Sequence, residues 1–224
     1  MKKPLPFCAT ALSLLLAACT QDVYEKGQGS YSLLRGDLVE AHAGADNRID
    51  RIITDDGDTL APVKPMTHEW GQTPDTTYRA LCFYNLTETR RADIVSCRLI
   101  ATDTLTPRSE LKNGMKTDPV KLESIWIGKT RRYLNVSMYL KTGQTDDPKA
   151  RHRLGFVSDT LLTNADATKT LHLQLYHDQG GIPEYYFSNR TYISIPLYQL
   201  TADSISLSIQ TYDGWVEKQF RLRP

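Results

Sequence analysis

The 224-residue chain sets 27 lysines and arginines against 26 aspartates and glutamates, a formal charge of +1. That balance leaves no electrostatic footprint for nucleic acid, so none is expected as a partner. After the first 18 residues no apolar run reaches the roughly 20 residues a spanning helix needs, which excludes an integral helical membrane protein.

The chain opens Met1-Lys2-Lys3, followed by an apolar stretch from Leu5 to Ala18 broken only by Pro6, Thr10 and Ser13. A basic start, a short apolar core and a small-residue end mark a secretory signal. It closes Leu16-Ala17-Ala18-Cys19, which resembles the lipobox of bacterial lipoproteins. The resemblance implies a signal peptide over 1–18, cleavage before Cys19 and acylation of its thiol. Several acyl chains on one residue anchor stably, because each buried CH₂ contributes about 0.8 kcal/mol. The expected location is the cell envelope, anchored by lipid to the outer membrane, on a face the sequence leaves open. Loss of Lys2 and Lys3 with the signal brings the charge to −1. Residues 19–30 are polar and glycine-containing and are expected to form a flexible tether.

Beyond residue 30 the dominant pattern is period-two alternation. Leu134, Val136, Met138 and Leu140 alternate with Asn135, Ser137, Tyr139 and Lys141; Leu171, Leu173, Leu175 and then Ile205, Leu207, Ile209 behave alike. Each reads as a strand with one face in a core and one in water. Five strands are expected before residue 104, at 31–42, 48–54, 58–64, 77–86 and 93–102, with Asp56-Gly57 as a hairpin turn. Seven follow, at 120–127, 132–141, 151–158, 168–177, 184–197, 203–212 and 215–222. Thr106 to Met115 has room for one helical turn, and the polar stretch Thr106 to Pro119 suits a boundary. The expected fold is all-β: a small OB-like barrel over 31–107, then an immunoglobulin-like β-sandwich over 115–224, its seven strands antiparallel.

With Cys8 lost and Cys19 lipidated, Cys82 and Cys97 remain, in two apolar runs separated by a polar turn. In a hairpin symmetric about the Thr89–Arg90 bond they lie opposite each other. Such a pair either forms a disulfide or packs as two small hydrophobes, and the sequence leaves both readings open. Nothing resembles C-x-x-C, so a catalytic redox role is not expected.

Motifs from both halves add a family resemblance. Thr54-Asp55-Asp56-Gly57-Asp58-Thr59-Leu60-Ala61-Pro62 and Arg79-Ala80-Leu81 fall in the first; Asp118-Pro119-Val120, Trp126-x-Gly128 and Tyr133-Leu134-Asn135-Val136 fall in the second. Their order and spacing resemble the NigD-like lipoproteins of diderm anaerobes of gut and mouth. The resemblance implies an N-terminal OB-like domain, a C-terminal β-sandwich and a suggested immunity role, with no established activity and no functional residues to transfer. Two departures stand out: Arg131-Arg132, where an acidic residue often precedes the Tyr-Leu-Asn, and the two cysteines, where apolar residues are usual.

Candidate chemistry is sparse. Asp55, Asp56 and Asp58 lack the spacing of a calcium loop, and turn chemistry accounts for Asp-Gly. His172 and His177 fall on opposite faces of one strand, and His42, His68 and His152 read as isolated. No nucleophile elbow, zincin motif or phosphate loop occurs. No catalytic residue, cofactor or metal is therefore expected. Aromatic residues crowd the second half, and Tyr176 and Tyr192 lie on the polar sides of their strands. Exposed rings would anchor a protein or stack on sugars. Finally, Thr59, Thr76, Thr104, Thr160 and Ser204 each follow an aspartate and precede an apolar residue or threonine. The form resembles the O-glycosylation motif of exported proteins in such bacteria; turn-to-strand punctuation produces it too.

The sequence reading is thus a non-catalytic envelope lipoprotein that binds a protein partner, with a carbohydrate-binding module and a structural envelope component as alternatives.

Overall fold

The computed structural model describes residues 32–102, 104–188 and 190–222. The signal peptide, Cys19 and the tether expected over 19–30 lie outside the described residues. From Leu34 onward the chain forms one compact unit.

The first layer comprises β1 (Arg35–Ala43), β2 (Ile49–Thr54), β3 (Thr59–Leu60), β4 (Thr76–Leu86) and β5 (Ala92–Leu99), hydrogen-bonded in the order β3-β2-β1-β4-β5. A parallel bridge between Pro62 and Ala92 joins the two ends, so the five strands close into a ring. Its turns are where local chemistry places them. Gly57, at φ 98°, takes the positive-φ position of the β2–β3 hairpin, and the Thr54 amide donates to Asp58 O at 2.9 Å. Val39, Ala41, Ile52, Leu60, Ala80 and Tyr84 fill the interior.

The second layer is a sandwich. It uses β6 (Ala101–Thr102), β7 (Thr106–Pro107), β8 (Lys121–Ile127), β9 (Tyr133–Tyr139), β10 (Lys141–Thr142), β11 (Arg153–Thr163), β12 (Lys169–Asp178), β13 (Tyr186–Phe187), β14 (Thr191–Pro196), β15 (Ser204–Thr211) and β16 (Gly214–Arg221). One sheet runs β16-β15-β12-β11-β7 and the other β6-β14-β9-β8, with β10–β13 as a separate two-stranded pair. Leu134, Val136, Ile193 and Ile195 meet Phe156, Leu173, Ile205 and Leu207 in the core between them. A 3₁₀ turn at Arg108–Glu110 occupies the expected helical position.

Three details differ from the sequence reading. The expected strand over 184–197 is broken into β13 and β14. The first sheet ends at Leu99; β6 and β7, within the span assigned to the barrel, pair with sandwich strands β14 and β11. Two-residue parallel pairings are too short to leave a periodic signal. The sandwich is also not purely antiparallel, because β12 and β15 are parallel neighbours. Between them the chain crosses to the opposite sheet as β14, and such a crossover is what parallel pairing requires.

Candidate functional site

The outer faces of β1 and β4 are buried against the sandwich. Leu38, Leu81 and Ile100 pack with Phe83, Trp126 and Tyr192. Beside this apolar contact lies a polar one. The Arg79 Nη2 donates to Asp55 Oδ2 at 2.6 Å and Asn135 Oδ1 at 3.0 Å, and its Nε to Ser194 Oγ at 3.4 Å. Asn135 Nδ2 donates to the same Asp55 oxygen at 2.8 Å, and Ser194 Oγ donates to Asn135 Oδ1 at 2.7 Å. The guanidinium carbon lies 4.1 Å from the Tyr133 ring centroid. The Arg79 side chain is 1% exposed and that of Asp55 15%, so the pair is stable only because each charge meets its partner. Glu40, also buried, accepts from Arg132 Nη2 and the Tyr133 hydroxyl, both at 2.8 Å. Burial, then the bond to Glu40, raises the Tyr133 phenol above its ordinary range.

Asp55, Arg79, Tyr133 and Asn135 belong to the motifs that carried the family resemblance. Gly128 joins them, because a Cβ there would stand 2.8 Å from Asp55 Cβ. These motifs build the seam between barrel and sandwich. Asn135 and Ser137 were expected to face water; both are buried, since β9 has covered surfaces on both sides. Arg132, one of the departures from the family pattern, finds its counterion in Glu40.

Along the seam opens a cleft of about 490 Å³, lined among others by Asp37, Asp56, Glu123, Trp126, Arg190 and Tyr192. Glu123 accepts from Ser137 Oγ and Arg190 Nη2, each at 2.5 Å. The Ser137 bond first, and Arg190 with it, hold its carboxyl below the usual range. Asp37 accepts the Tyr84 hydroxyl at 2.7 Å, and the Trp126 and Tyr192 rings meet edge to face, centroids 6.5 Å apart.

A second cavity, about 480 Å³, is lined by Val120, Lys121, Leu122, Phe187, Tyr212 and Val216 among others. Beside it Tyr185, Tyr186 and Phe187 are 77%, 61% and 43% exposed. The Lys121 ammonium lies 5.0 Å from the Phe187 ring centroid and that of Lys141 4.4 Å from the Tyr212 centroid. Lysines on ring faces dress the patch without covering it. The two tyrosines read as surface rings from their strand positions, Tyr176 and Tyr192, are half-buried instead.

The other sequence candidates are dispersed. Cys82 and Cys97 are joined by a disulfide, directly opposite on β4 and β5. The turn by itself pairs Leu86 with Ala92; a bulge beyond Tyr84 shifts the register by one and brings the cysteines together. The three hairpin aspartates point to three different cations: Asp55 to Arg79, Asp56 to Lys129 and Asp58 to Arg90. Thr59, Thr104 and Thr160 are exposed, whereas Thr76 donates to Pro74 O and Ser204 shares a hydrogen bond with Thr170.

The histidines are less isolated than they read. His42 meets Asp50 at 2.9 Å and His68 stacks on Trp70. His152 Nδ1 lies 3.0 Å from His177 Nε2, and His177 Nδ1 lies 2.8 Å from Asp118 O. Burial lowers the pKa of both rings of that pair. Their separation of 25 residues left no sequence signal. Among the described residues no group of three or more His, Cys, Asp or Glu is placed to hold a metal ion. None of the described helices is long and apolar enough to cross a membrane.

This architecture has known counterparts. The family model of the NigD-like C-terminal beta sandwich domain matches residues 103–221, more than half the chain. The chain belongs to the NigD-like family. A NigD-like immunity protein from Bacteroides caccae superposes with a TM-score of 0.66 at 28% identity, over 84% of this chain and 97% of its own. A candidate toxin-related protein from Parabacteroides distasonis has a TM-score of 0.62 at 19% identity, over 85% and 93%. A candidate lipoprotein from Bacteroides fragilis has 0.53 at 12%, over 84% and 96%. The last two speak to the fold alone. None of the curated proteins compared with the chain matches it. These superpositions cover 84–85% of this chain, so they extend over the barrel as well as the sandwich.

Proposed function

We propose that this NigD-like protein is a non-catalytic lipoprotein, anchored through Cys19 to the outer membrane, that binds a protein partner in the manner of an immunity protein. One observation carries the partner: the aromatic run Tyr185-Tyr186-Phe187 stands exposed beside an apolar cavity. Rings of this size placed in water are what protein interfaces cover, and they are over-represented among binding hot spots. Among the described residues strand β8 is a sheet edge next to β9, and its first residues line the same cavity. An extended segment of a partner would add to that edge and set its side chains into the groove. The description of the Bacteroides caccae relative as an immunity protein supports the biological setting. An OB-like reading of the barrel rests on its ring order, β1-β2-β3-β5-β4.

The test is toxin sensitivity. A strain lacking the gene is challenged with bacteriocin-containing supernatants of related strains, then complemented with wild type or with the Tyr186→Ser/Phe187→Ser variant. Protection by wild type and not by the variant is the expected result. Unchanged sensitivity on deletion removes the immunity reading, and full protection by the variant removes the groove.

We further propose O-glycosylation at one or more of Thr59, Thr76, Thr104, Thr160 and Ser204, with Thr59, Thr104 and Thr160 the exposed acceptors. The intact mass of natively expressed protein, compared with polypeptide plus lipid, tests this together with acylation at Cys19.

A further inference from the structure

Independently of the partner groove, we propose that the cleft between barrel and sandwich binds a neutral, polyhydroxylated ligand of the oligosaccharide class. Its size, about 490 Å³, lies within the roughly 300–1,000 Å³ of small-ligand sites. The lining divides into an apolar part and polar walls. Leu38 and Leu81 come from the barrel, and Trp126 and Tyr192 from the sandwich. A sugar ring presents one apolar face of C–H groups, and an indole or phenol ring is the surface it stacks on.

The walls supply the other half of sugar recognition. Asp37 stands on one side, and Ser124, Glu123 and Arg190 on the other. A carboxylate has about four acceptor sites. Asp37 shows one occupied, by the Tyr84 hydroxyl, so it retains capacity for ligand hydroxyls. Arg190 offers planar, paired N–H donors, of which one bonds Glu123 at 2.5 Å and one contacts the Tyr192 hydroxyl at 3.4 Å.

Charge excludes anionic ligands. Glu123 is matched by Arg190, Asp56 by Lys129 and Asp55 by Arg79, at 2.5, 2.6 and 2.6 Å. An anion would have to displace Glu123 from Arg190, the cation in the lining, whereas hydroxyl groups bond to already paired groups without separating them.

The experiment uses natively expressed, detergent-extracted protein carrying Trp70→Phe and Trp215→Phe, which leaves Trp126 as the sole tryptophan. Its fluorescence is titrated with neutral oligosaccharides built on glucose, galactose, mannose and N-acetylglucosamine, alongside an oligogalacturonate and an oligolysine as charged probes. Saturable change with at least one neutral oligosaccharide is expected, weakened at least tenfold by Asp37→Asn and unchanged by Tyr186→Ser. Calorimetry repeats the titration for Trp126→Ala, with the conservative Asp37→Asn decisive if that variant does not fold. The absence of saturation across the neutral panel, a preference for either charged probe, or wild-type affinity in Asp37→Asn overturns the proposal.

Discussion

The seam between barrel and sandwich and the aromatic groove at β8 break the same rule in opposite directions. At the seam, charged and polar groups are buried; at the groove, large apolar rings are in water. The seam resolves most of its exception internally, since Arg79, Asp55, Asn135 and Ser194 hydrogen-bond one another and Tyr133 bonds Glu40, with Arg79 Nη1 left without a hydrogen-bond partner. The groove does not, since Lys121 and Lys141 reach ring faces while Tyr185 and Tyr186 stay exposed. Buried polarity that is largely paired reports on architecture, and exposed apolarity left uncovered reports on a partner.

The largest effect comes from breaking the seam. Arg79→Ala strands the Asp55 carboxylate, and a loss of about 3–5 kcal/mol is expected in urea denaturation. The Arg79→Ala/Asp55→Ala double variant should recover part of it, because the uncompensated charge is gone. An additive double variant would show that the two residues are not coupled.

Next is the barrel's own staple. The Cys82–Cys97 bridge closes a loop of 15 residues, and constraining such a loop contributes about 3 kcal/mol by the chain-entropy account. Cys82→Ser/Cys97→Ser should lower the denaturation midpoint by a corresponding amount. Hydrogen exchange should locate the loosening in β4 and β5 and leave β12 and β15 protected.

A smaller effect depends on pH and falls on both regions, since burial lowers the pKa of His68 beside the barrel as well. His152 and His177 have folded pKa values below the ordinary 6.5, so the unfolded chain takes up protons first as pH falls. Their contribution is complete above 6.5 and is lost as pH drops through the lowered folded values. Glu123, Asp166 and Asp178 are also lowered, from 4.5, 3.8 and 3.8, so their losses come at lower pH. Stability should decline between pH 7 and 5, and His177→Gln should flatten that part of the profile. An unchanged slope in the variant would detach the effect from this pair.

Least affected should be Tyr186→Ser at the groove. Exposed substitutions change stability by about 0.5 kcal/mol or less, so its melting curve should match wild type while immunity-type protection is lost. A large destabilisation would mean the ring supports the fold and would weaken its assignment to a partner.

What was legible in the sequence depended on range. The cysteines face each other only because a bulge shifts the register by one residue, whereas strand positions and the Asp56-Gly57 hairpin follow from spacing within one or two strands. Asn135, Ser137 and Glu40 did not: period two assigns them to water, and nothing local says that a second layer covers that face. The cleft and the His152–His177 pair were invisible for the same reason. Trp126 and Asp37 are 89 positions apart, and neither is unusual for a strand.

Alternating apolar residues and turn chemistry therefore determined by themselves that this chain is all-β, with a five-stranded unit leading into a sandwich. Those signals act through neighbours two to four residues away, where backbone sterics and one-sided burial operate. Tertiary structure alone decided which polar faces became interior, which aspartate met which cation, and which rings stayed exposed. Those outcomes depend on which sheet faces dock on one another, a long-range property with no period to leave in the sequence.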